Sequence, residues 1–114
     1  MALVMPAAGE PYLMKPLATD EGARHPDRMA LSQLQAVVGG YIEAVYLRSA
    51  EGERIVMFVN EDGKRLDLPL NLRATQLAHE QHAIGPDDWI VGDVVLCTWA
   101  EAGADDPNDP DEDA

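Results

Sequence analysis

The sequence has few of the residues that would assign it to several common classes of protein. It contains one cysteine among 114 residues, so an intramolecular disulfide is excluded. Aromatic residues make up only 5%, so the core must be built mainly from aliphatic side chains. No apolar run approaches the roughly 18 residues that a membrane-spanning helix needs. The length and the 46% hydrophobic content predict a single small domain.

Basic residues are also scarce, with 8 Lys and Arg against 21 Asp and Glu and a formal net charge of −13. Proteins bind phosphate backbones through Lys and Arg, so direct nucleic-acid binding is disfavoured. The same charge favours a protein partner with a basic face. Residues 101–114 hold seven acids and no base, which predicts a disordered acidic tail after a domain that spans residues 1–100. The tail either serves solubility or helps to bind a partner.

The first residues, "MALVMPAAGEP", lack the features of an export signal. They have no basic segment, and the apolar run ends at Pro6. Because the sequence has neither an export signal nor a membrane span, we expect a cytoplasmic protein.

Hydrophobic patterning predicts the element order β-β-α-β-β-β-α-β. Two short apolar runs predict an N-terminal hairpin, and a polar loop insert follows at residues 18–28. Because hairpins dominate, we expect an α+β fold in which two helices pack on a small, mostly antiparallel sheet. The predicted helices cover residues 29–38 and 71–84, and the predicted strands cover residues 2–5, 12–17, 41–48, 54–60, 64–70 and 90–99.

The run "RIVMFVN" at residues 54–60 is almost entirely apolar and predicts a central strand covered on both faces. Asp62 and Gly63 follow it directly, which predicts a tight hairpin. The return strand, residues 64–70, has leucines at alternate positions turned inward. It also has a proline that places it at an edge of the sheet.

Four glycines are predicted to serve backbone geometry rather than binding. Gly39 follows the first helix, where a residue in the left-handed conformation closes the last turn. Gly40 lets the chain turn sharply into the next strand, and Gly63 belongs to the hairpin turn. Gly92 marks a bulge or a close approach of two segments.

Residues suited to catalysis or metal binding form no recognisable pattern. His79 and His82 lie three residues apart on the second predicted helix, which is half a metal site or two solvated histidines. Cys97 lies within "VVLCTW", which favours a buried small hydrophobe over a reactive thiol. No G-x-S-x-G nucleophile motif is present. We therefore expect a non-enzymatic protein with no metal and no cofactor.

One polar cluster could bind a small ligand. Asn71, Arg73 and Thr75 lie at the start of the second predicted helix, where backbone N–H groups and a guanidinium can hold an anion. Asn60 and Lys64, from the predicted hairpin, could line the same polar pocket. The alternative is that Asn71 only caps the helix and Arg73 is an ordinary surface residue.

Four stretches, "LQAVVGGYIEAVYL", "FVNEDGKRLDLPLN", the following "RAT" and "IVGDVVL", carry a family resemblance over roughly residues 31–98. They resemble a family of small proteins of unknown function found in bacteriophages, actinobacteria and mobile elements. The resemblance implies a small α+β domain and a mobile-element context, and it brings no activity, catalytic residue or cofactor. If these motifs share a function, the binding residues to expect are Tyr41, Glu43, Asn60, Glu61, Lys64, Asn71 and Arg73.

Three functions follow as hypotheses. The first is a non-enzymatic accessory or regulatory protein of a phage or mobile element, which binds another protein in the host cytoplasm, for example as an inhibitor of a host factor. The second is a small-ligand or nucleotide-binding protein, and the third is an enzyme. Exposed sheet edges expected near Pro16 and Pro69 also leave a homodimer open.

Overall fold

The computed structural model describes residues 1–16 and 29–102 of the chain. No helix in these ranges has the length and apolar character needed to cross a membrane. The strands are β1 (Ala2–Met5), β2 (Tyr12–Met14), β3 (Ile42–Arg48), β4 (Arg54–Asn60) and β5 (Val94–Thr98). The helices are α1 (Leu31–Val38), α2 (Leu72–Glu80) and the short α3 (Trp99–Ala102).

The described strands form one antiparallel sheet in the order β2-β1-β5-β4-β3. β1 and β2 form the predicted N-terminal hairpin, in which Val4 lies opposite Tyr12. β5, the last of the described strands along the chain, lies in the middle of the sheet between β1 and β4. The predicted α+β class, with helices packed on a small antiparallel sheet, is confirmed.

The sheet has an apolar core on each face, because successive side chains of a strand point to opposite sides. On one face Phe58 of β4 belongs to the same buried cluster as Leu34 of α1. On the other face Met57 of β4 packs in a second cluster with Ala78 of α2. The prediction that residues 54–60 form a strand covered on both faces is confirmed.

α1 ends where Gly39 adopts a left-handed conformation. Its φ is 81°, and its backbone N–H donates to the Gln35 carbonyl at 2.8 Å. A side chain at this position would strain the backbone, so glycine is favoured. The structure confirms that the first residue of the Gly39-Gly40 pair terminates the helix, and β3 then begins at Ile42.

The predicted hairpin after β4 is wrong, because residues 61–67 form consecutive turns instead of a strand. Gly63 does not take the positive φ that a type I′ hairpin turn requires. β4 already has β3 and β5 as its two neighbours, so no free edge is left for a return strand. Leu66 and Leu70 are accordingly exposed, and only an isolated bridge joins Leu70 to Val91.

α2 begins at its predicted N-cap. The Oδ1 atom of Asn71 accepts a hydrogen bond from the backbone N–H of Ala74 at 3.1 Å. The helix ends at Glu80, before the predicted end at residue 84, because His82 takes a φ of 53° that no helix can accommodate.

α3 follows β5 directly and includes Glu101 and Ala102, the first two residues assigned to the predicted tail. Glu101 is 7% exposed, and its carboxylate accepts a hydrogen bond from the Thr98 backbone N–H at 2.9 Å. The predicted loop insert at 18–28 and residues 103–114 lie outside the described residues.

Candidate functional site

A groove of about 360 Å³ opens on the α2 face of the sheet, near the start of β3 and the end of β4. The turns that follow β4 and the loop between α2 and β5 form its other walls. Its polar lining consists of Glu43, Asn60, Glu61, Asp62, Lys64, Arg65 and Asp88, and its apolar lining includes Val45, Val59, Ile84 and Trp89. The groove therefore brings together four of the seven predicted binding residues: Glu43, Asn60, Glu61 and Lys64.

Asn60 shapes the groove but uses both polar ends of its side chain within the fold. Its Nδ2 donates to the Val38 carbonyl at 2.9 Å, and its Oδ1 accepts from the Asp62 backbone N–H at 2.8 Å. Gly40 lies against it, and a Cβ on Gly40 would come 3.1 Å from the Asn60 Nδ2. Asn60 therefore joins the end of α1 to the end of β4 and starts the turns that wall the groove.

Lys64 reaches across to the loop that precedes β5. Its ammonium group lies 4.4 Å from the centroid of the Trp89 ring and forms an ion pair with the Asp88 carboxylate. The hydrogen bond from Lys64, followed by that from the Trp89 backbone N–H, holds the pKa of Asp88 below its ordinary value. An exposed cation–π contact and an exposed ion pair each contribute at most about 1 kcal/mol. Lys64 is thus part of the groove wall rather than a free cation for a ligand anion.

The groove carries more acid than base. Each of its two basic residues pairs with an acid of the same groove. Glu43 and Glu61 are exposed, and neither has an ion-pair partner among residues 1–16 and 29–102. The Trp89 ring, which is 46% exposed, lies in the same lining. Two uncompensated carboxylates beside an exposed aromatic ring suit a cationic, partly apolar group and repel phosphate.

Two of the predicted ligand-binding residues lie away from the groove. Asn71 is 1% exposed, and its Nδ2 donates to two backbone carbonyls, those of Met5 at 2.8 Å and Gly92 at 2.9 Å. Arg73 is exposed, and its guanidinium contacts the Glu10 carboxylate at 3.3 Å. The polar pocket expected from the sequence is therefore not assembled, because only two of its five residues, Asn60 and Lys64, line the groove.

Tyr41 precedes β3 and is 70% exposed. Its backbone carbonyl accepts a hydrogen bond from the Glu61 N–H at 2.9 Å, so the two predicted binding residues are neighbours. Tyr41 itself does not line the groove.

Two of the predicted backbone glycines lie where another segment passes very close. A Cβ on Gly63 would come within 2.7 Å of the Val91 Cγ2 atom. Gly92 has a φ of 77°, and a Cβ there would come within 2.9 Å of the Leu68 Cδ1 atom. The lack of a Cβ at both positions lets the turns after β4 pack closely against the segment before β5, and these two segments form two walls of the groove.

The remaining chemically reactive side chains do not assemble into a site. The His79 Nε2 atom lies 2.7 Å from the Asp88 carbonyl, and His82 lies in the exposed turn after α2. Within the described ranges no group of three His, Cys, Asp or Glu residues could hold a metal ion. Burial, assisted by the Glu101 carboxylate, raises the pKa of Cys97 to about 12. Cys97 is therefore the buried small residue that the sequence predicted, since a thiolate is the reactive form.

Sequence reasoning missed Trp89, Asp88 and Ile84 as groove residues. The segment "GPDDW" at residues 85–89 has the composition of a turn that follows a helix, and this pattern alone does not indicate a binding site. One signal was present, because a tryptophan in a short polar turn has little chain around it to bury its ring.

A protein-family model described as "Domain of unknown function (DUF3846)" matches residues 9–113 of the chain. The match includes every residue that lines the groove. No curated protein and no solved structure matches the chain.

Proposed function

The chain belongs to the DUF3846 family, a domain of unknown function, and we propose that this protein is a non-enzymatic accessory or regulatory protein that binds a protein partner with a basic face. The proposal includes the setting that the sequence resemblance implies, a phage or mobile element acting in the cytoplasm of its host.

The observation that carries the proposal is the pair of uncompensated carboxylates, Glu43 and Glu61, in a groove with an exposed Trp89. A Lys or Arg of a partner could pair with these acids and pack its aliphatic stem on the indole ring. The net charge of −13 would speed the approach of a basic surface from a distance.

The small-ligand or nucleotide alternative has less support. Lys64 is paired with Asp88, and Arg73 contacts Glu10 outside the groove. A phosphate in the groove would instead meet Glu43 and Glu61, which repel it. The same repulsion argues against direct binding of nucleic acid.

A charge-reversal pair tests the proposal against a matched control. The variant Glu43→Lys/Glu61→Lys changes the groove, and Glu51→Lys/Glu80→Lys makes the same change in net charge at exposed positions outside it. Each tagged protein is used to capture partners from a lysate of the native host, and captured proteins are quantified by mass spectrometry. We expect a basic protein that both the wild type and the control retain and the groove variant loses. Equal capture by all three proteins would contradict the proposal.

A truncation measures the role of the acidic tail separately. The truncation removes residues 103–114 and keeps Glu101, because that side chain is buried and bonded to Thr98. If the tail steers association, the shortened protein binds the captured partner with a slower association rate, and its rate depends less on salt. An unchanged rate at low salt would assign the tail to solubility alone.

A further inference from the structure

β3 is a seven-residue strand at one edge of the sheet. Its odd-numbered residues direct their backbone groups toward β4, as the neighbouring hydrogen bond from the Glu61 N–H to the Tyr41 carbonyl indicates. Its even-numbered residues therefore direct theirs outward. Arg48 confirms this alternation, because both its N–H and its carbonyl bond the Gln81 side chain outside the sheet.

Three outward positions of β3 remain open: Ile42, Ala44 and Tyr46. No residue in the described part of the chain bonds their backbone groups. The strand pairs residue for residue with β4, so it has no bulge, and it contains no proline. Natural proteins use β-bulges and prolines to protect sheet edges from pairing with other chains, and β3 has neither. The opposite edge, β2, is only three residues long and is followed by Pro16.

We propose that the β3 edge binds an extended segment of a basic partner protein as a sixth strand, with a Lys or Arg of that segment opposite Glu43. This inference rests on the proposed function and specifies how the partner binds. Main-chain hydrogen bonds to residues 42, 44 and 46 supply the pairing, and the side chains on the two faces supply the specificity.

The Glu43 position explains why the segment is basic. In an antiparallel addition, which continues the pattern of the sheet, the partner residue opposite Glu43 is a non-hydrogen-bonded neighbour about 4.5 Å away between Cα atoms. Its side chain points to the same face as Glu43, which is the face of the groove. A cationic side chain there pairs with Glu43 and reaches toward Glu61.

The other face of β3 explains which residues flank that cation. Ile42 and Ala44 pack against the α1 cluster, and Tyr46 contacts the Trp99 ring at 5.6 Å between centroids. Partner residues opposite these positions extend this apolar surface. The expected segment therefore alternates apolar residues with at least one Lys or Arg.

A second copy of the chain fits the edge less well. A two-fold antiparallel pair centred on Ala44 would use the same open positions, but it would place Glu43 opposite Val45 without a cation. It would also bring together two chains with a net charge of −13 each.

The test begins with a library of random nine-residue peptides selected against the full chain. We expect enriched peptides in which apolar residues alternate with Lys or Arg. Hydrogen exchange of the bound protein should slow at the amides of residues 42, 44 and 46. N-methyl groups placed on one alternating set of peptide amides should abolish binding, whereas the other set should be tolerated. This last measurement leaves the protein unchanged.

Protein variants complete the test. Ala44→Pro removes an outward N–H and should weaken peptide binding about tenfold or more. Ala50→Pro is the matched control, because Ala50 lies in the β3–β4 turn and faces no added strand. Glu43→Lys should weaken binding about two- to fivefold, and a peptide with its Lys changed to Glu should restore it.

A selection that enriches no peptide, or peptides that leave the exchange at residues 42, 44 and 46 unchanged, overturns strand addition. So does a protein dimer in sedimentation that Ala44→Pro abolishes, because the edge then belongs to a second copy. If Ala44→Pro retains the captured host protein that Glu43→Lys/Glu61→Lys loses, strand addition fails and the proposed function stands. If neither variant loses a protein, both fail.

Discussion

The side chain of Asn71 donates a hydrogen bond to the backbone carbonyl of Met5 at 2.8 Å, although the two residues lie far apart in the sequence. The same Nδ2 atom donates to the Gly92 carbonyl, and the Oδ1 atom caps α2. One buried amide thus joins the end of β1, the segment before β5 and the first turn of a helix. Asn71 was predicted both as a cap and as a binding residue, and the structure shows how completely the fold uses it.

We expect Asn71→Ala to lower the free energy of unfolding by about 3 kcal/mol, because it removes the cap and leaves two buried carbonyls without donors. Arg73→Ala, two residues away on the exposed surface, should change it by less than about 0.5 kcal/mol. Urea unfolding followed by circular dichroism measures both. Equal effects of the two substitutions would show that the buried hydrogen bonds of Asn71 are not what stabilises this corner of the fold.

The Gln81 amide closes the end of the open β3 edge by bonding the N–H and carbonyl of Arg48, both at 2.7 Å. We expect Gln81→Ala to destabilise the protein by about 1 kcal/mol and to speed hydrogen exchange at the Arg48 amide. Gln76→Ala, on the exposed side of α2, is the control and should do neither. If exchange at Arg48 stays slow in Gln81→Ala, another group protects this edge.

Gly92 and Gly52 offer a matched pair for separating backbone strain from steric contact. Both have positive φ, 77° and 84°, but only a Cβ on Gly92 would meet another residue, at 2.9 Å from Leu68. We expect Gly52→Ala to cost about 1 to 2 kcal/mol from strain alone, and Gly92→Ala to cost more.

A double-mutant cycle with Leu68→Ala isolates the contact of Gly92. The excess cost of Gly92→Ala should shrink when Leu68 is shortened, because the clash involves the end of that side chain. If the excess cost persists in the Leu68→Ala background, it arises from the backbone around Gly92 and not from the contact with the Leu68 side chain.

Cys97 should make stability depend on alkaline pH. Its pKa is raised from 9.0 to about 12, mainly by burial, so the unfolded chain ionises first as the pH rises. The stability that the neutral thiol contributes is complete below pH 9 and is lost progressively between pH 9 and about 12. Urea unfolding of the wild type and Cys97→Ala across this range should show a steeper decline in the wild type.

Local patterning was sufficient for those parts of the fold that depend on local chemistry. Gly39 after an apolar helix and Asn71 before one were each recognisable, because caps follow from backbone geometry within a few residues. The apolar run at 54–60 indicated burial on both faces. The prediction of a return strand at 64–70 was wrong because strand pairing depends on distant parts of the chain. β5 occupies the edge of β4 that the hairpin would have needed.

The candidate site was predictable only in part for the same reason. Lys64 and Trp89 come from segments far apart in the sequence, and nothing in either segment indicates that a cation will lie over that ring. The family resemblance implied Glu43 and Glu61 as polar candidates, but their lack of an ion-pair partner among the described residues depends on where the basic side chains lie. Asn60 is a polar candidate in the sequence, but its hydrogen bond to the Val38 carbonyl depends on the packing of α1 against the end of β4.

The central position of β5 limits the order in which the strands can pair while the chain is being synthesised. The β1–β2 and β3–β4 hairpins can each form soon after their residues leave the ribosome. They have no strand to join them until Val94–Thr98 is synthesised. Pairings between distant residues form slowly, so the nascent chain waits with two unpaired inner edges. A translation product that stopped before Val94 would lack the strand that joins the two hairpins into one sheet, and it would leave the inner edges of β1 and β4 without a hydrogen-bonded neighbour.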